Sequence, residues 1–189
     1  MGKDFEKVIE KRISVRAFDN SKKVPMQKIK KILRAGTLAP SARNSQPWRF
    51  YVAVSENARA KICEAMAQRN PWAKEAGAII VVVADKNAAF KPEEKKYYID
   101  IGLCLENILL EVVNQGLGAC ACTAFDKEML TKALALPEHL EAVVVVPLGY
   151  EAKGKKFEEV KHKYGEIVER RDHKIGGTKK LEECIVKID

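Results

Sequence analysis

The stretch AIIVVVAD, residues 78–85, holds five β-branched side chains in a row and no polar residue before its final aspartate. Alternation of polar and apolar positions would let one face of a strand meet water; this run has none, so it reads as a strand buried on both faces. Such a strand needs a covering layer on each side. The flanking sequence supplies candidates for both layers, and three further runs read as strands beside it: WRFYVAV (48–54), LGACACTAF (117–125) and EAVVVVPLGY (141–150).

Helical patterns alternate with these strands. Residues 4–12 place Phe5, Val8 and Ile9 on one face, and SVRAF then breaks the period and reads as extended. Pro25 suits the first turn of a second helix with Ile29, Ile32 and Leu33 as its apolar stripe, ended by Gly36 and Pro40. Ser55 caps a third helix reaching about Ala67, and Asp126 caps another reaching about Leu134. The longest periodic segment, about Glu93 to Gln115, is apolar over so much of its circumference that it belongs inside a domain or between subunits. Strands alternating with helices give an α/β or α+β sandwich, and 189 residues suit a single domain over 1–189. Residues 151–189 form a charged C-terminal extension, with 11 basic and 9 acidic side chains, read as a helix or an arm lying on a partner.

Composition narrows the function classes. Charged residues at 32% and the lack of a span-length apolar run exclude a membrane protein, and the N-terminus has no signal-peptide core, so the expected location is the cytoplasm. Five cysteines, none in C-x-x-C spacing, and three dispersed histidines read as reduced thiols with no metal site. The net charge of +8 is unevenly spread: residues 1–50 carry thirteen Lys or Arg against four Asp or Glu, and the remainder sums to −1. The N-terminal quarter therefore calls for an anion, either a nucleic acid or a single phosphate group.

No dinucleotide fingerprint, P-loop or nucleophile elbow is present. GLGAC (116–120) precedes a strand rather than following one and reads as a helix C-cap with a tight turn. In RISVR (12–16), Arg12, Ser14 and Arg16 share one face of an extended segment; by itself this is an exposed basic strand or a phosphate cradle. PSARNSQPW (40–48) is pinned by two prolines. Its Asn44 and Gln46 amides match the edge of a heterocycle or serve the loop alone. The small residues of ACACTAFD (119–126) admit a bulky group or pack tightly, and KGKKF (153–157) is a basic cluster or a solvated patch.

Taken in order, RISVRAF, APSARNSQPWRFYVA, AIIVVVAD, DIGLCLENILLEVVNQGLGACACTAFD and VVVPLGY resemble the nitroreductase family of FMN-dependent oxidoreductases over residues 12 to about 150. The resemblance implies an α+β fold with a mostly antiparallel sheet flanked by helices, and a homodimer with FMN at the subunit interface. Arg12, Ser14 and Arg16 would hold the flavin phosphate. Pro40, Ser41, Asn44 and Gln46 would reach the flavin, often from the other subunit. Ala121, Cys122 and Thr123 match the stretch whose backbone faces the ring, although the bulky residue and glycine common there are missing. Lys155 or Lys156 would add a basic contact to the phosphate. Electrons would pass from NADH or NADPH through the flavin to a nitroaromatic or quinone, with no catalytic side chain, no nucleic acid and no membrane involved. A flavin carrier without turnover is the alternative reading; a basic nucleic-acid binder is less favoured, because Phe18 alone provides no aromatic platform among residues 12–34.

Overall fold

A computed structural model describes residues 2–169 of the chain, with side chains from residue 4. Four strands, β1 (Trp48–Ala53), β2 (Ala78–Asp85), β3 (Gly118–Ala119) and β4 (Leu140–Gly149), form one sheet in the order β1-β2-β4-β3, and every adjacent pair is antiparallel. β2 spans the residues read from sequence, and all eight of them are buried. The period-2 pleat divides them between two cores. Ile79, Val81 and Val83 face one layer, with Trp72 and Met66; Ala78, Ile80, Val82 and Ala84 face the other.

The first layer is built by α3 (Glu56–Met66), α5 (Lys127–Ala133) and α6 (Lys155–Tyr164); the second by α2 (Met26–Thr37) and α4 (Tyr97–Asn114), with α1 (Gly2–Lys11) against α4. Both predicted side-chain caps form: Ser55 Oγ accepts from the Ala58 N–H at 3.2 Å and Asp126 Oδ1 from the Met129 N–H at 2.9 Å.

Three expectations are corrected. α4 begins at Tyr97 rather than near Glu93, because Lys91 precedes a proline and, like Lys95, takes a left-handed φ (48° and 53°), leaving only one 3-10 turn at Pro92–Glu94. Gly36 does not end α2 but lies buried within it. A Cβ there would come within 2.8 Å of Ile108 Cγ1 on α4, so the glycine sets how closely the two helices approach. The third strand shrinks from residues 117–125 to Gly118–Ala119 plus an isolated bridge between Cys122 and Val145. The reason is Pro147. Cys120 donates to Pro147 O at 3.2 Å, and the proline has no N–H with which to answer.

Residues 155–169 pack on the chain's own first core through Val160, Val168 and Phe157. The rest of the extension expected to lie on a partner, residues 170–189, falls outside the described residues.

Candidate functional site

Residues 12–16 dock along the free edge of β3. Ser14 bridges to Ala119 in parallel, and the Val15 N–H donates to Ala119 O at 2.9 Å. This contact requires Gly118, since a Cβ on residue 118 would sit 2.6 Å from Val15 Cγ2. Ile13 and Val15 join the first core, so alternation sets Arg12, Ser14 and Arg16 on the opposite face, all half-buried. Arg12 Nε lies 3.9 Å from Glu106 Oε1 on α4, and Arg16 Nη1 donates to Ser14 O at 3.4 Å. A cleft of about 490 Å³ opens beside the segment, lined by Ile13, Val15 and Leu117 together with the lysines Lys11, Lys22 and Lys153.

The 119–123 stretch meets this segment, and alternation divides its side chains. Cys120 and Cys122 point into the first core while Ala121 and Thr123 are exposed. The Cys122 backbone is engaged on both sides by Val145, at 2.8 and 2.9 Å. Its Sγ lies 3.9 Å from Cys120 Sγ; that contact and burial push the Cys122 thiol far above its ordinary range, with the Arg16 charge opposing. Cys122 is thus a core thiol whose main chain is bonded to Val145.

The 40–47 loop lies at the other edge of the sheet. Ser41 Oγ accepts from the Gln46 N–H at 2.9 Å, the Ala42 N–H donates to the buried Asp100 carboxylate at 3.0 Å, and Pro47 O accepts from the Asp85 N–H at 2.7 Å. Arg49 ion-pairs with Asp85 at 2.7 Å. Arg43, Asn44 and Gln46 all take left-handed φ values of 50°, 56° and 44° without being glycine. Each such residue costs roughly 1–2 kcal/mol, and strain of this kind clusters at functional sites. The amides of Asn44 and Gln46 are exposed and bond each other, Gln46 Nε2 donating to Asn44 Oδ1 at 3.0 Å. Pro40 is exposed at the loop's entrance.

The structure therefore brings two of the predicted clusters together, 12–16 with 119–123, and leaves the third, 40–46, across the sheet. Three strand spacings separate those edges, roughly 14 Å. Lys155 is exposed at the start of α6; Lys156 pairs with Glu159 at 3.5 Å. Sequence reading missed Asp85 and Asp100, which anchor the loop. For Asp100 the available signal was an aspartate on the buried side of an apolar helix; for Asp85 it was the aspartate that ends the apolar run 78–85.

Comparison with known proteins bears on the family of the chain. The family model described as Nitroreductase family matches residues 9–92 and 66–150. A protein of Archaeoglobus fulgidus, provisionally named an NADH dehydrogenase/NAD(P)H nitroreductase, is 34% identical over 164 residues, covering 84% of this chain and 91% of its own. An iodotyrosine deiodinase of Thermotoga neapolitana is 27% identical over 165 residues, covering 75% and 85%. The crystal structure of a Desulfovibrio desulfuricans protein, provisionally called a nitroreductase and solved in complex with FMN, shares the fold at a TM-score of 0.77 over 98% of this chain and 96% of that one, at 23% identity. A matching family model across both halves of the sheet, and a relative this similar over most of its length, place the chain in one family: it belongs to the nitroreductase family.

Proposed function

We propose that this protein is an FMN-dependent oxidoreductase that passes electrons from NADH or NADPH to an electron-poor acceptor such as a nitroaromatic or quinone. The observation that supports the reading is the docking of 12–16 on Ala119, with Arg12, Ser14 and Arg16 alternating away from the first core and Ala121 and Thr123 exposed on the adjoining stretch. That donor set fits a phosphomonoester, and the nearby lysine-lined cleft adds to the positive potential.

FMN, when bound, supplies the two-electron chemistry between the nicotinamide and the acceptor. The chain's own residues bind and orient. Arg12, Ser14 and Arg16 would hold the phosphate, with Lys155 or Lys156 as a further cation; Ala121 and Thr123, lacking bulk, leave room for a flat ring system beside the strand. Pro40, Ser41, Asn44 and Gln46 would complete the ring-edge contacts from a second copy of the chain, because in one copy they occupy the opposite sheet edge. A homodimer interface is available: Phe5, Ile9, Leu38, Ile99 and Leu103 are large apolar side chains left exposed on α1, α4 and the turn after α2. Among the described residues no helix is long and apolar enough to cross a membrane. Buried thiols at Cys63, Cys104 and Cys122 suit a cytoplasmic setting.

Sedimentation of the flavin-loaded protein tests the reading. Flavin absorbance travelling at twice the chain mass of 21.2 kDa, with FMN released on heating, is the expected result. Flavin carried by a monomer removes the shared-site part, and FAD or no flavin removes the cofactor assignment.

A further inference from the structure

We infer that Arg43, held over the Phe90 ring beside the 40–47 loop, selects acceptors that carry a negative charge. The inference rests on the oxidoreductase reading above and concerns which members of the acceptor class the site prefers.

Two arginines occupy this loop and its strand, and they differ in one respect. Arg49 is saturated, by Asp85 at 2.7 Å and by the Gln46 and Trp48 carbonyls at 3.2 and 2.8 Å. Arg43 is exposed, and among the described residues its guanidinium makes no hydrogen bond or ion pair. Its centre lies 5.0 Å from the Phe90 ring centroid, so the side chain is held in place without its N–H fork being used. The backbone is committed to this placement: Arg43 sits in the left-handed region, next to the Ala42 N–H anchored on Asp100.

The segment that presents Phe90 is itself cationic. Lys86, Lys91, Lys95 and Lys96 stand against Glu93 and Glu94, and Glu94 already serves both Lys91, at 2.9 Å, and Lys96. A planar fork on an aromatic platform, inside a positive field and adjoining the Asn44 and Gln46 amides, matches an aromatic acceptor bearing a carboxylate or sulfonate. A neutral acceptor would meet the same ring but leave the fork unused.

The test compares two acceptors, 1,4-naphthoquinone and its 2-sulfonate, at low ionic strength with NADH in excess. The quantity read is kcat/KM for the sulfonate divided by kcat/KM for the neutral quinone. Comparing that ratio between variants cancels the difference in reduction potential between the quinones. Arg43→Gln is expected to lower the ratio about tenfold, and Phe90→Leu about threefold by releasing the guanidinium; the parent ratio should fall as salt is raised. If Arg43→Gln loses its flavin, the Phe90→Leu ratio and the salt dependence decide. An unchanged ratio in the variants, or an Arg43→Gln variant that only weakens self-association, overturns the assignment while leaving the oxidoreductase reading intact. Absence of turnover with either quinone overturns both.

Discussion

At the residue scale, the buried charges are tied to named partners, and pH reports on them. Glu75 is 5% exposed and accepts from Lys163 Nζ at 2.6 Å, Tyr164 Oη at 2.8 Å and Asn20 Nδ2 at 2.5 Å. Burial pushes its carboxyl up, but the bonds from Lys163 and Tyr164 outweigh burial, and the net direction is down from the ordinary value of 4.5. A depressed folded-state pKa contributes stability that is present above the unfolded value and is lost as pH falls through the folded one. Stability should therefore decline below about pH 4.5 as Glu75 protonates. Glu75→Gln should cost about 1–3 kcal/mol at neutral pH and flatten that acid limb, as read by urea titrations between neutral pH and the acid limb. An acid limb equally steep in the variant would assign the effect to other carboxylates. This cluster was not legible in the sequence: the partners of Glu75 lie 55 to 89 positions from it, and no local spacing joins them to it. Arg12, Ser14 and Arg16 were legible because alternation acts within five residues.

At the element scale, the two glycines that looked alike in sequence do different things, and a third governs the site. Gly116 takes φ 70° and ends α4 with the paired bonds of a Schellman motif, Leu117 N–H to Val112 O and Gly116 N–H to Val113 O, at 3.0 and 2.9 Å. Gly36, also read as a terminator, is a contact point between helices, which only the position of Ile108 reveals. β2 could be read residue for residue because its composition alone demands two buried faces. β3 could not, since its length depends on the side to which Pro147 turns its missing donor, and that is settled by the sheet order. Gly118 links the sheet to the site. Gly118→Ala forces Val15 away from β3, an overpacking cost of about 1–3 kcal/mol. It should also shift Arg12, Ser14 and Arg16 and weaken FMN binding about tenfold, about 1.4 kcal/mol, in a fluorescence titration. A destabilised variant with parental FMN affinity would show that the docked segment does not hold the phosphate.

At the scale of the whole molecule, one sheet separates two cores and keeps its two edge clusters apart. The phosphate-type cluster occupies the β3 edge and the amide loop the β1 edge, with apolar side chains of α1 and α4 exposed alongside. The order of the motifs is legible in the sequence but their separation is not, because strand order follows from pairings between residues far apart in the chain, such as Ala78 with Leu148. On the proposed reading, a second copy would let both clusters act on one flavin, and electron transfer would be the activity of the shared site. The direct measurement is an anaerobic titration of the FMN-loaded protein with NADH or NADPH, followed by addition of a quinone. The flavin absorbance should bleach with one equivalent of nicotinamide per flavin and return when the quinone is added. A yellow protein that neither nicotinamide bleaches would contradict the account and leave a flavin carrier in its place.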